Sequence, residues 1–179
     1  MTLTCAIQMD PIEGIDIDAD NLLAAEALSP IYEQASDAKK LVLVYEVRLG
    51  HMEDPLSKIQ LLRETGILYE EKLRNPGTAF ERFLAAFSVD PSQEVVREDV
   101  ERLAANVEGG WDRVVDAYRE AIDASTDPDA QIELRMGLGR TLTAVEQIEE
   151  AIEQFHAVYE AENDHADAIA ALGELYRRT

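Results

Sequence analysis

The chain has 179 residues, of which 37 are Asp or Glu and 16 are Lys or Arg, so its formal net charge is −21. This balance excludes nucleic acid and anionic membrane as main ligands, because phosphate binding requires clustered Lys and Arg. The hydrophobic fraction of 46% argues against wholesale disorder. No stretch approaches the roughly 18 apolar residues of a membrane span, and no basic-then-apolar leader opens the chain, so a cytoplasmic location is expected.

Residues 1–19 are the least regular part of the sequence and are predicted to be degenerate or partly ordered. Residues 16–20 imitate the opening of a calcium-binding loop, but Asn21 stands where that loop needs glycine. Glu26 also falls one residue short of the position that would bind calcium with both oxygens. A solvated acidic loop, with Asp20 as the N-cap of the first helix, is therefore expected.

From residue 20 onward, apolar residues recur at 3- and 4-residue steps, which predicts a close succession of amphipathic helices. Turns are predicted at Ser36-Asp37, Asn75-Pro76-Gly77 and Gly109-Gly110. The residues that carry this apolar pattern in the nine predicted helices include, in chain order, Leu22 and Tyr32, Leu41 and Tyr45, Ile59 and Tyr69, Ala79 and Phe83, Val96 and Leu103, Trp111 and Tyr118, Leu134 and Leu142, Phe155 and Tyr159, and Leu172 and Tyr176.

The dipeptide Asp-Pro occurs at positions 10–11, 54–55, 90–91 and 127–128, and the last three copies are predicted to open helices. Asp at the N-cap accepts hydrogen bonds from free backbone N–H groups. Pro at the first helical position costs no hydrogen bond, because an N–H group at that position would have no partner within the helix. Pro30 lies inside the pattern of the first helix, where it is expected to kink the helix or split off its first turns.

The aromatic residues of alternate helices recur about 35 to 38 positions apart, at Tyr45, Phe83, Tyr118 and Phe155. Residues 172–176 read Leu-Gly-Glu-Leu-Tyr and fit the Leu-Gly-x-x-Tyr signature of the tetratricopeptide repeat (TPR) family, which residues 65–69 and 138–142 fit loosely. The Ala, Phe, Ala and Pro of the same family are matched at Ala79, Phe83, Ala86 and Pro91. The sequence therefore resembles a TPR protein over about residues 20–178.

This resemblance implies an all-α fold, a right-handed α-α superhelix, in which residues 20–179 form a solenoid of about four TPR-like hairpins plus a terminal helix. Stacking is also required physically, because a single helical hairpin cannot bury its apolar face. The sequence departs from the family at Arg48, where a small residue is usual, and its repeats exceed 34 residues. A related class of helical hairpin therefore stays open.

The resemblance further implies a non-enzymatic interaction module or scaffold that binds a peptide or protein segment in its concave groove. On this alignment the predicted groove residues are Gln60, Arg63, Ile67, Arg97, Glu101, Met136 and Arg140, accompanied by Glu70, Glu94 and Glu133. The three arginines are the most suggestive feature, because a guanidinium can grip a carboxylate at two points. The competing interpretation is internal pairing, such as Arg97 with Glu94 or Glu101 at helical spacing.

The sequence contains no recognisable catalytic constellation, so no enzymatic activity, metal or other cofactor is expected. His51, His156 and His165 are scattered without metal-ligand spacing, and Cys5 cannot form an internal disulfide. Trp111 is predicted to be a core residue rather than a binding hot spot. A homo-oligomeric structural module, or a fragment of a longer repeat protein, is the alternative to peptide binding.

Overall fold

A computed structural model describes residues 21–178 of the chain, and these residues form nine α-helices with no strand among them. The helices are α1 Leu22–Gln34, α2 Ala38–Gly50, α3 Pro55–Ile67, α4 Pro76–Val89, α5 Glu94–Ala104, α6 Gly110–Ala124, α7 Pro128–Ala144, α8 Ile148–Ala161 and α9 Ala166–Arg178. A single π-helical turn, Leu68–Lys72, continues α3. The expected all-α helical-repeat fold is confirmed.

The chain divides into two compact units, with the boundary between Val89 and Asp90. In the described part of the first unit, α1 packs on α2, α2 on α3 and α3 on α4. In the second unit, α5 packs on α6, and α6 through α9 pack in succession. Packing between consecutive helices is the arrangement of stacked helical hairpins. The predicted segment 1–19 and the calcium-loop look-alike at 16–20 lie outside the described residues.

A glycine in α3 and another in α7 each face an aromatic ring on the following helix. A Cβ built on Gly66 would lie 2.7 Å from Cε1 of Phe83, and one built on Gly139 would lie 2.7 Å from Cε1 of Phe155. The two rings are 0% and 2% exposed, so neither can retreat into solvent. Both glycines belong to segments that loosely match the Leu-Gly-x-x-Tyr signature. Because Gly66 lies in the first unit and Gly139 in the second, the same contact is present in both units.

The first helix is continuous from Leu22 to Gln34, and Pro30 lies within it, so the expected split is not found. The buried Ser29 hydroxyl, next to the proline, donates to the Ala25 carbonyl at 2.9 Å. The N-cap is Asn21 rather than Asp20, because the Asn21 side chain accepts from the N–H of Ala24 at 3.0 Å.

Two of the three Asp-Pro predictions are confirmed. The Asp54 carboxylate accepts from the N–H of Ser57 at 2.8 Å at the start of α3. The Asp127 carboxylate accepts from the N–H of Asp129 at 3.1 Å at the start of α7. Between them, Asn75 caps α4 in the same way, with its side-chain oxygen 3.1 Å from the N–H of Thr78.

The third prediction, that Asp90 and Pro91 open a helix, is wrong, because α5 begins only at Glu94. The Asp90 carboxylate is engaged by its own turn. It accepts from the N–H and hydroxyl of Ser92 at 3.0 and 2.6 Å, and from the Gln93 side-chain amide at 2.8 Å. Such local bonds compete with helix formation. Burial acts to raise the pKa of Asp90, but these hydrogen bonds together outweigh it and lower the pKa below its ordinary value.

Alanine replacements at the glycines test the repeated contact. Gly66→Ala or Gly139→Ala should lower the free energy of unfolding by about 1–3 kcal/mol, because the added methyl group overpacks a buried ring. Gly173→Ala in α9 is the matched control, since no heavy atom lies within 4 Å of a Cβ built there. It should be neutral or stabilise by up to about 1 kcal/mol, because alanine favours helix over glycine. Urea denaturation measures all three, and equal effects would contradict the packing.

The turn at Asp90 predicts a specific pH dependence. Because its pKa is lower in the folded chain, ionised Asp90 stabilises the fold above the unfolded value of about 4, and this contribution is lost as pH falls through the folded pKa. Asp90→Asn should therefore lose less unfolding free energy than the parent chain between about pH 6 and pH 2. Asp123→Asn on α6 controls for removing one carboxylate. Identical pH profiles for the parent and Asp90→Asn would contradict the assignment.

Candidate functional site

Three predicted groove residues, Gln60, Arg63 and Ile67, lie on α3 in the first unit. Their spacing places them on one face of that helix. Gln60 is exposed and its side-chain amide donates to Glu64 at 2.9 Å, whereas Arg63 is half-buried and Ile67 is 37% exposed. Beside them is a shallow cleft of about 230 Å³, lined by Leu41, Tyr45, Glu64, Ile67 and Leu68.

The other four predicted residues lie in the second unit, Arg97 and Glu101 on α5 and Met136 and Arg140 on α7. A cleft of about 210 Å³ brings Arg97, Glu101 and Arg140 together. Its lining is completed by Glu94, Glu98, Trp111, Tyr118, Glu133, Gly137, Thr141 and Ala144. Met136 is only 2% exposed, so its side chain belongs to the helix packing and not to an accessible surface.

The two arginines of this cleft are held differently. Arg97 is half-buried, and its Nη1 donates to the carbonyl oxygens of Ser92 at 3.2 Å and Pro91 at 3.4 Å. It therefore ties α5 to the turn before it. The Arg140 side chain is 62% exposed, and its Nη2 lies 3.7 Å from Asp167 on α9. Arg140 is thus the more accessible of the two cations.

Glu101 is a half-buried carboxyl group between these cations. Burial raises its pKa, the charges of Arg97 and Arg140 oppose that shift, and Glu98 adds to it. The net direction is upward, so desolvation outweighs the two guanidinium groups. Glu101 therefore lies within the electrostatic influence of both arginines, in a cleft that is open to solvent.

Two aromatic residues shape the wall of the cleft. Tyr118 is 1% exposed, in agreement with its prediction as a core residue. Its ring packs against α7, where a Cβ built on Gly137 would lie 2.6 Å from Cε1 of Tyr118. Burial raises the pKa of Tyr118, and the charge of Glu101 raises it further. Trp111, predicted to be core, is only half-buried and lines the cleft. Its place next to the Gly109-Gly110 turn is the sequence signal that could have identified it.

Residues 21–178 present neither a metal-binding cluster nor a membrane-spanning helix. No group of three or more His, Cys, Asp or Glu side chains in this part of the chain is placed to hold a metal ion. None of the helices described above is long and apolar enough to cross a bilayer. Cys5 lies outside the described residues.

The charges around Glu101 make its titration a test of the cleft. Arg140→Gln should raise the pKa of Glu101 further, because an opposing positive charge is removed, and Glu98→Gln should lower it. NMR titration of the Glu101 side-chain carboxyl measures both shifts. Arg119→Gln on α6, whose guanidinium pairs with Asp116 and Glu150, is the control for loss of a cation in the same unit. Shifts of the opposite sign would contradict the arrangement.

The stacked hairpins and the repeated glycine–aromatic contact define a TPR-like helical-repeat fold. No protein-family model matches the sequence, and no curated protein matches it. The crystal structure of the MamA protein is similar at 14% sequence identity and a TM-score of 0.46, over 88% of this chain and 82% of that one. A Podosopora anserina putative kinesin light chain with nearly identical TPR-like repeats gives 13% identity and a TM-score of 0.38, over 89% and 95%. Neither likeness bears on function.

Proposed function

We propose that this chain is a non-enzymatic protein-interaction module that binds an extended peptide segment, with the cleft of the second unit as its main contact. The supporting observation is that Arg140, largely exposed, stands beside Glu101 and the half-buried Trp111 in one open cleft. A cation, a carboxyl group and an aromatic wall lie there side by side. The family resemblance of the sequence favours the same function.

The donors and acceptors of the cleft suit a peptide backbone. Every residue of an extended peptide offers one N–H donor and one C=O acceptor. The Arg140 guanidinium supplies donors for carbonyl or carboxylate oxygens, and Glu101 and Glu133 supply acceptors for N–H groups. An acidic side chain next to the bound carbonyl would gain the two-point contact that arginine allows.

The size of the cleft favours part of a peptide over an enclosed small molecule. Its volume of about 210 Å³ falls below the roughly 300–1,000 Å³ of pockets that bury most of a drug-sized ligand. One or two side chains of a longer segment fit this space, with the rest of the segment lying on the surface. Trp111 offers the kind of aromatic contact that anchors many protein interfaces.

The α3 surface of the first unit is proposed as a separate, weaker contact. Gln60, Arg63 and Ile67 share one face, and Ile67 also borders the apolar cleft beside Leu41 and Tyr45. This surface offers one guanidinium and one exposed aliphatic side chain. It lacks the clustered carboxylates and the tryptophan of the second unit.

A peptide selection tests the proposal. Peptides from a random displayed library would be selected on the parent chain, synthesised, and measured by fluorescence anisotropy. Arg140→Glu should weaken the selected peptide at least about tenfold, because a charge-assisted hydrogen bond of about 1.5–3 kcal/mol is lost. Arg119→Glu is the matched control, since it makes the same charge change in the same unit away from the cleft lining.

Two results would overturn the proposal. One is a selection that enriches no peptide above a panning control without the protein. The other is a peptide that binds the parent, Arg140→Glu and Arg119→Glu with one dissociation constant. Helicity of each variant, measured by circular dichroism, separates loss of binding from loss of folding.

A further inference from the structure

The first helix, α1, presents an apolar stripe to solvent. The α1 stripe consists of exposed residues at 3- and 4-residue steps along one helix face, namely Leu23, Ala27, Pro30 and Ile31. Leu23 is 76% exposed and Ile31 is 56% exposed. The buried Ser29 lies on a different side of α1, which packs on α2. The stripe is therefore a second apolar face, and no helix among residues 21–178 covers it.

The equivalent face of α7 is covered by the helix that precedes it. Counted back from the buried aromatic residue of the next helix, Tyr45 after α1 and Phe155 after α7, Ala27 occupies the same position as Gly137. A Cβ built on Gly137 would lie 2.6 Å from Cε1 of Tyr118, which belongs to the preceding helix α6. The face of α1 that carries Ala27 is therefore the face on which a preceding helix packs in this fold.

The residues before α1 contain a segment that matches the buried end of α4. Residues 3–11 read Leu-Thr-Cys-Ala-Ile-Gln-Met-Asp-Pro, and residues 83–91 read Phe-Leu-Ala-Ala-Phe-Ser-Val-Asp-Pro. Three residues of α4 that are at most 1% exposed have apolar counterparts in this segment: Phe83 matches Leu3, Ala86 matches Ala6 and Phe87 matches Ile7. Residues 3–11 lie outside the described residues, so the match is one of sequence.

The segment and the α1 stripe are both without charge. Residues 1–9 contain no Asp, Glu, Lys or Arg, although these residues make up 30% of the whole chain. The four members of the stripe are likewise apolar. Burying one against the other therefore removes no charged side chain from water, which would be costly.

We propose that residues 3–9 cover the α1 stripe as a short helix, in the way that α6 covers α7. Leu3 takes the place of the aromatic residue that Phe83 supplies in α4, and it lies over Ala27. The contact of a ring with a glycine becomes a contact of a leucine with an alanine, so the loss of volume on one side is offset on the other. Ile7 lies one turn farther along the same face.

The connection to α1 favours this segment over a second copy of the chain. Residues 10–20 can span up to about 36 Å when extended. The stripe from Leu23 to Ile31 is only about 12 Å long, so the connection can reach every part of it. A tethered segment acts at an effective concentration on the order of millimolar, and a separate chain at micromolar concentration competes poorly with it.

Cys5, the only cysteine of the chain, provides the test. A nitroxide spin label on Cys5 should strongly broaden the amide NMR signals of Ala27 and Ile31, because paramagnetic broadening falls steeply with distance. Reduction of the nitroxide by ascorbate gives the reference intensities. Ala85, the α4 residue that Cys5 matches, is only half-buried, so a label at this position is compatible with the packing.

Two neighbouring substitutions separate packing from mere tethering. Ile7→Asp should restore the broadened α1 signals, because Ile7 matches the buried Phe87 and a carboxylate there opposes burial. Gln8→Asp is the matched control, since it adds the same charge at the counterpart of the exposed Ser88, and it should leave the broadening unchanged. Hydrogen exchange of the α1 amides in unlabelled chains should be about tenfold faster or more in Ile7→Asp, because a buried isoleucine stabilises the packed state at least that much.

Three outcomes would overturn the proposal. The first is a labelled parent chain whose α1 signals keep their full intensity. The second is equal broadening, or equal α1 hydrogen exchange, in Ile7→Asp and Gln8→Asp, which would leave only a tether. The third is broadening of α1 in an isotope-labelled Cys5→Ser chain mixed with spin-labelled chains that carry no isotope, which would assign the stripe to a second copy.

Discussion

The contact between a glycine on one helix and an aromatic ring on the next is the constraint on which each unit depends. It lets α3 approach α4, and α7 approach α8, more closely than any side chain would allow. The rings of Phe83 and Phe155 then fill the space at almost full burial. Close-packed interiors respond to the change of a single methyl group, so these positions fix both the distance and the register of each hairpin.

The candidate cleft of the second unit is shaped by another contact between a glycine and an aromatic ring, with the ring on the preceding helix. Gly137 lies against Tyr118, which anchors α6 to α7 and leaves Trp111 at the edge of the cleft instead of inside the core. Arg97 is fixed by carbonyls of the turn that precedes its own helix. The side chains that could meet a peptide are therefore held by elements whose positions the core determines, and of the two arginines Arg140 is the one that extends mainly into solvent.

The sequence was sufficient for the fold because the helical period and two Asp-Pro caps act locally. The predicted helix start at Asp90 was wrong, because hydrogen bonds from Ser92 and Gln93 occupy the carboxylate that would have to cap the helix. The sequence also placed Met136 in a groove, since periodicity locates a face of α7 but not how deeply neighbouring helices cover it. Arg97, Glu101 and Arg140 line one cleft because they are one turn apart or on successive first helices of hairpins.

The π-helical turn at Leu68–Lys72 has an evolutionary consequence. The N–H of Leu73 bonds to the carbonyl of Leu68 at 3.0 Å, one residue farther back than in an α-helix. Leu62 and Gly66 are buried on the preceding part of α3, so an extra residue there would rotate them out of their contacts. After Gly66 an inserted residue can loop outward as one wide turn while the core keeps its phase. Repeats of unequal length can in this way arise by single insertions at helix ends, without a compensating change in the partner helix.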